Sequence, residues 1–174
     1  MDAAHQRQPA APTLSQIYDD ALPEVYRYLR GRCGSVELAE ELTSATFLQA
    51  ATTAAARPHQ PLTVGWLITV ARHKLVDHWR RMAVAERALT VVDGGVDDIE
   101  EPWDAVLDQT VAADTLARLS ARHRSALTLR YLDDLSVPEC AELLDLTVHA
   151  TESLLVRARA AFRSAYEASG GHDV

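Results

Sequence analysis

Cysteine is nearly missing from this chain of 174 residues: Cys33 and Cys140 are the only two, far apart and without a CxxC partner. That excludes a disulfide framework and a cysteine-rich zinc site, and both thiols are expected to be reduced and partly buried. No apolar run reaches the length of a membrane span. The start, Met1 to Pro12, is a polar, Ala/Pro-rich tail without a hydrophobic signal core, so a cytoplasmic protein without membrane insertion is expected. Strand-like alternation, internal repeats and low-complexity tracts of consequence are absent. There is no Gly-rich phosphate loop, no Ser/His/Asp nucleophile arrangement and no HExxH motif. His73, Asp77 and His78 lie close on one helix, but catalytic zinc needs three ligands and a general base. Neither an enzyme nor any cofactor is expected.

Basic residues are in deficit, 17 Lys and Arg against 25 Asp and Glu, for a formal net charge of -8. Taken whole, that balance argues against nucleic acid, because phosphate binding leaves a basic footprint. The acids, however, are concentrated. From Ala83 to Ala113, eight of them (Glu86, Asp93, Asp97, Asp98, Glu100, Glu101, Asp104 and Asp108) face a single base, Arg87. From Trp66 to Arg81 the sign reverses: Arg72, Lys74, Arg80 and Arg81 stand against Asp77 alone.

That second stretch, WLITVARHKLVDHWRR, is the most informative in the chain. Trp66, Leu67, Val70, Ala71, Leu75 and Val76 recur at three-and-four spacing and should face a core. The outward positions then include Arg72, His73, Lys74, His78, Trp79, Arg80 and Arg81. Cations for phosphates and flat rings for unstacked bases are what a surface for an unpaired strand requires. A solvated cationic helix offers the same composition, and spacing alone does not separate the two.

Turn formers and acids from Asp93 to Pro102 read as a linker between two helical halves. In the first half, Leu14 to Arg32 forms a helix closed by Gly31 and Gly34. Ser35 caps a second helix to about Ala56, with Leu42, Phe47 and Leu48 among its apolar positions, and two prolines make Arg57 to Leu62 a loop. Thr63 then caps the basic helix. The second half begins near Asp114 with one or two helices before Asp133-Asp134. The capping box Ser136-Val137-Pro138-Glu139 starts a short helix, Asp145-Leu146-Thr147 makes a turn, and Val148 to about Tyr166 forms a last helix. Short helix, tight turn and longer helix make a helix-turn-helix pattern, although αα-hairpins of other kinds share it. The expected fold class is all-α: two small helical domains joined by a flexible acidic linker, the second containing the helix-turn-helix.

Longer motifs carry a resemblance. Ala39-Glu40-Glu41-Leu42-Thr43-Ser44-Ala45-Thr46-Phe47-Leu48 stands where a family pattern reads A-E-D-L-V-Q-E-V-F-L. Gly65-Trp66-Leu67, Val70-Ala71-Arg72-His73, Leu75-Val76-Asp77 and Arg80-Arg81 fit A-W-L-x-x-I-A-R-N-x-L-I-D-x-x-R-R. Leu127 to Ser136 resembles L-x-L-R-Y-x-x-x-L-S, and Arg157-Ala158-Arg159 fits an R-A-R ending. On these residues the chain resembles regions two and four of the extracytoplasmic-function group of sigma-70-like transcription initiation factors.

The resemblance implies a disordered tail over 1–12, region two over 13–84, an acidic linker over 85–113 and region four over 114–168. It implies binding to bacterial core RNA polymerase, at the beta-prime clamp helices and the beta flap, and to promoter DNA, with an anti-sigma factor as a further partner. Polymerase binding would fall to Glu40, Glu41, Leu42, Ser44, Ala45 and Phe47. His59, Thr63, Arg72, His73, Lys74, His78, Trp79, Arg80 and Arg81 would bind the opened strand of the minus-ten element. Thr147, His149, Thr151, Glu152, Ser153, Arg157 and Arg159 would read the minus-thirty-five duplex. The chain departs from the pattern at Ser44 and Ala45, which replace a glutamine and a glutamate, and at Glu152 and Leu154, which replace a basic pair. Glutamate can accept from cytosine N4 and leucine can touch a thymine methyl, so altered base readout is conceivable. The alternative is a helix-turn-helix regulator or a partner-binding adaptor without sigma activity.

Overall fold

The computed structural model describes residues 14–57, 60–89 and 109–169. The expected tail, the middle of the acidic linker and His59 lie outside these residues. Among them are seven α-helices, one π turn and no strand: α1 (Leu14–Cys33), α2 (Val36–Ala56), α3 (Val64–Leu89), α4 (Gln109–Arg118), α5 (Ala121–Leu127), the π turn (Thr128–Leu132), α6 (Val137–Leu144) and α7 (Val148–Ala168). At the expected linker's two ends, residues 85–89 belong to α3 and 109–113 to α4.

The helix ends follow from local chemistry. The Ser35 hydroxyl accepts from Leu38 N at the start of α2, and Thr63 Oγ1 accepts from Trp66 N at 3.1 Å at the start of α3. Ser136 and Glu139 complete their reciprocal capping box. Asp145 ends α6 in the left-handed conformation at φ 56°, one of the few backbone shapes in which aspartate outperforms most side chains. Thr147 then caps α7 by accepting from Ala150 N at 3.1 Å.

Helices α1, α2 and α3 pack into one three-helix unit around Ala21, Val25, Leu29, Leu42, Phe47, Leu67, Ala71 and Leu75, all buried. Buried Thr43 and Thr46 donate to the carbonyls of Ala39 and Leu42 at 2.7 Å, so their hydroxyls cost little. Helices α4 to α7 form the second unit, α5 lying on α7 and α6 beside it, with Leu127, Ala158 and Phe162 at one end. The two units are not separate bodies. Helix α3 packs on α5 and α6, and one hydrophobic cluster continues from the first unit into Ala121, Leu129, Cys140, Leu154 and Leu155.

Three expectations are corrected here. Trp79, read as an outward aromatic, is 1% exposed. Its place explains this: Leu67, Ala71, Leu75 and Trp79 form an unbroken i, i+4 row, and Arg72, Trp79 and Glu86 recur every seven residues on the side that meets the second unit. Leu48, read as core, is 70% exposed, on a face with Glu40, Glu41 and Ser44. Val70 is only half-buried.

Cys33 and Cys140 are both free and fully buried, at 3% and 0% exposure, where partial burial was expected. Burial pushes the Cys33 thiol up to about 11 against the pull of Arg124, Arg30 and Arg32, and burial likewise raises Cys140. Since the thiolate is the nucleophile, both should resist Ellman's reagent at neutral pH until the protein is unfolded in urea. A rapid first equivalent from native protein would show that one thiol is reachable without unfolding.

Candidate nucleic-acid and polymerase interfaces

On α2, Glu40, Glu41 and Ser44 are exposed and Ala45 is half-buried, while Leu42 (4%) and Phe47 (9%) are buried beneath them. Leu42 therefore shapes this surface from below, whereas Phe47, though buried, lines the groove beside it. Beside them runs an open groove of about 570 Å³ lined by Tyr18, Leu22, Pro23, Tyr26, Glu40, Thr43, Ser44 and Phe47. Tyr18 meets Phe47 edge to face, ring centroids 5.0 Å apart, which fixes the groove's floor.

Along α3 the expected strand-binding residues divide. His73 and Arg81 are exposed, Lys74 and His78 are half-buried, and Thr63 is exposed at the helix start with its hydroxyl engaged as the cap. The His73 ring bonds Thr69 O at 2.7 Å, which orients it along the helix. Arg72 and Arg80 are occupied by acids of the second unit. Arg72 Nε donates to Asp133 at 3.0 Å, and Arg80 Nη2 to Asp145 at 3.1 Å.

Asp133 is the centre of a cluster that sequence reasoning did not find. Its Oδ1 accepts from Arg32 Nε at 2.9 Å and lies 2.8 Å from Arg32 Nη2. Its Oδ2 accepts from Tyr28 Oη at 2.8 Å and from Arg72 Nε. The side chain is 1% exposed. Arg32 also donates to Leu132 O and stacks on the Tyr28 ring at 4.0 Å. Burial, then the Asp133 carboxylate beside it, hold the Tyr28 phenol far above its ordinary value, so it stays a donor. The π turn delivers Asp133 here: Asp133 N bonds back five residues to Thr128 O at 3.0 Å, ending the wide turn. The only sequence signal was the adjacent Asp133-Asp134 pair, and nothing local names partners about a hundred residues away.

In the helix-turn-helix, Thr147, Val148, His149, Glu152 and Ser153 are exposed at the start of α7, and Arg157 and Arg159 are half-buried. Arg157 donates to Ser153 O, and Arg159 to Tyr131 Oη at 3.3 Å. Thr151 is fully buried, its hydroxyl donating to Thr147 O, and Leu154 is 1% exposed. Neither reaches a base edge as expected, because Thr151, Leu154, Leu155, Ala158 and Phe162 are the packed stripe of α7.

Comparison with known proteins now decides the family. The sequence model "Sigma-70 region 2" matches residues 17–83 and "Sigma-70, region 4" matches 111–162. The ECF RNA polymerase sigma factor BldN of Streptomyces coelicolor is 34% identical over 156 residues, covering 85% of this chain and 58% of BldN. The chain belongs to the extracytoplasmic-function group of the sigma-70 family. The ECF sigma factor SigM of Bacillus subtilis is 27% identical over 159 residues, 88% of this chain and 95% of SigM. The sigma factor RpoE of Bartonella quintana, solved in complex with the anti-sigma factor NepR, shares the fold at TM-score 0.53 and 19% identity, covering 88% of this sigma factor and 96% of RpoE. This sigma factor thus spans only 58% of BldN but nearly all of SigM.

His78 of this sigma factor is held below its ordinary pKa, by burial first and then by Arg81 and Arg124, against the opposing pull of Glu41. The ring is therefore neutral at pH 7, a flat hydrogen-bonding group rather than a cation. Because the folded state disfavours the proton, the unfolded state binds more protons below the ordinary histidine value of about 6.5, and stability falls as pH drops from there. His78→Gln should flatten that fall in urea unfolding midpoints measured between about pH 6.5 and 5. An unchanged slope would assign the acid sensitivity elsewhere.

Proposed function

We propose that this alternative sigma factor binds core RNA polymerase through the exposed face of α2 and the groove beside it, and presents α3 and α7 to the two promoter elements. The observation that carries the reading is the juxtaposition of those surfaces on one three-helix unit. An apolar groove edged by Glu40 and Ser44 lies on one side, and a helix bearing His73, Lys74, His78, Arg80 and Arg81 lies on another. A regulator that only binds duplex DNA has no use for that pair. The chemistry of transcription belongs to the polymerase, and this subunit supplies recognition of the promoter and capture of the opened strand, in the cytoplasm. An anti-sigma factor is a further partner by analogy with the NepR-bound RpoE.

Exposed Leu48 joins the polymerase surface in this reading. Glu40, Ser44 and Leu48 fall on one i, i+4 row, so an apolar contact stands where the family pattern's glutamine and glutamate have become Ser44 and Ala45. At the other end, phosphate affinity in the minus-thirty-five half rests on Arg157 and Arg159, because Glu152 faces out where the family pattern has a base. Val148, His149, Glu152 and Ser153 are then the side chains available to base edges.

The test is co-elution of the purified protein with bacterial core polymerase in competition with the housekeeping sigma factor. Leu48→Asp should weaken binding about ten-fold or more while leaving the urea midpoint unchanged, since Leu48 is not core. Full competition by the variant would remove this face from the interface. For promoter melting, Arg80→Ala with Arg81→Ala should reduce strand opening and flatten its salt dependence. Unchanged melting would remove α3 from strand capture.

A further inference from the structure

We propose that the cavity between the end of α1 and helices α4, α5 and α7 is a binding site for a small organic carboxylate with an apolar body, its acid group held by Arg124. None of the residues involved belongs to the surfaces assigned to polymerase or promoter, so the inference stands without that reading.

The cavity measures about 690 Å³. Small-molecule sites run from about 300 to 1,000 Å³ and combine mostly apolar walls with a few placed polar groups. It exists where two hydrophobic clusters fail to merge. The main cluster includes Cys33 at the end of α1, and the smaller one is built on Leu127, Ala158 and Phe162 with Ala112 and Leu116 packed against it. Leu127, Phe162, Ala112 and Leu116 make the apolar side of the cavity. Phe162 is held in place by stacking on Tyr166, ring centroids 5.8 Å apart with the planes at 16°.

Two glycines shape the side formed by α1. Gly34, at φ 77°, brings the chain so close that a Cβ there would stand 3.4 Å from Ala117 Cβ and 3.5 Å from Arg124 Nη1. A Cβ on Gly31 would meet nothing within 4 Å. Glycine inside a helix is unfavourable for the fold, and here its missing side chain leaves the cavity its room.

The charge around the cavity is positive. Arg30, Arg32 and Arg124 line it against one acid, Asp114, which is exposed. Arg32 is committed to Asp133, and Arg30 is exposed. Arg124 is half-buried; its Nη1 donates to Ala117 O at 3.2 Å, and its buried Nε has no hydrogen-bond partner. Burial lowers its pKa against the pull of Glu86 and Cys33, and the Glu86 carboxylate is turned to the Ala121 amide. Arg124 is thus a cation partly removed from water without a full counter-charge, an arrangement that an added acceptor improves. A carboxylate matches the paired N–H groups of a guanidinium, while Leu127 and Phe162 receive an apolar body. A doubly charged phosphate would set unanswered charge against those same walls.

The test titrates the full chain by calorimetry with 1-naphthoate, with octanoate and with the neutral 1-naphthamide. At least one carboxylate should bind saturably at a single site, and the amide should bind about ten-fold or more weakly, because it forfeits the charge-assisted bonds. Either preference between the two carboxylates upholds the site and tells ring from chain. Arg124→Leu should weaken carboxylate binding on the order of ten-fold. Gly31→Leu, which fills the cavity from α1, should abolish binding with the helical circular dichroism retained and the urea midpoint no lower, and it covers the case in which the Arg124 variant fails to fold. Binding of neither carboxylate, equal binding of the amide, or undiminished binding to folded Gly31→Leu overturns the site.

Discussion

One buried carboxylate, set beside a hydrophobic cluster that runs through both units, ties α1 and α3 to the second unit. Removing Asp133 from water is costly, and the cost is offset only because two guanidinium groups and a phenol meet it with good geometry. Buried ion pairs of this kind come close to breaking even, so they fix an arrangement more than they stabilise it. The hydrophobic cluster shared by the two units supplies the apolar part of their contact.

Helix α3 is the element on which both units depend. Leu67, Ala71 and Leu75 secure it in the first unit, while Arg72, Trp79 and Glu86 present a second stripe about one residue further round. A helix buried along two stripes has a narrow solvent face, and that face keeps His73, Asp77, Arg80 and Arg81. The apolar and cationic patterns are thus interleaved on one helix, and Trp79 belongs to the apolar one.

Local signals were legible and distant ones were not. Serine and threonine caps, the Ser136–Glu139 box and the Asp145 turn each involve residues within a few positions, and the structure places all of them where the spacing does. The burial of Thr151 and Leu154 was also legible: the stripe that continues through Leu155, Ala158 and Phe162 already assigns them inward. Family alignment of the reading helix obscured that by treating every position there as outward. Trp79 illustrates the same tension, since its i, i+4 row from Leu67 spoke for burial while its basic neighbours spoke for exposure. Leu48 reversed the error, an apolar residue on a polar face. Asp133 and its partners were beyond reach, because Tyr28 and Arg32 come from a helix more than a hundred residues earlier and acquire meaning only when two folded units meet.

The charge distribution gains a consequence from this contact. Of the cations on α1 and α3, Arg32 and Arg72 share the single charge of Asp133 and Arg80 pairs with Asp145, while the start of α7 carries Glu152. Non-specific attraction to DNA scales with the number of phosphates neutralised, so each arginine withdrawn into an internal pair lowers it.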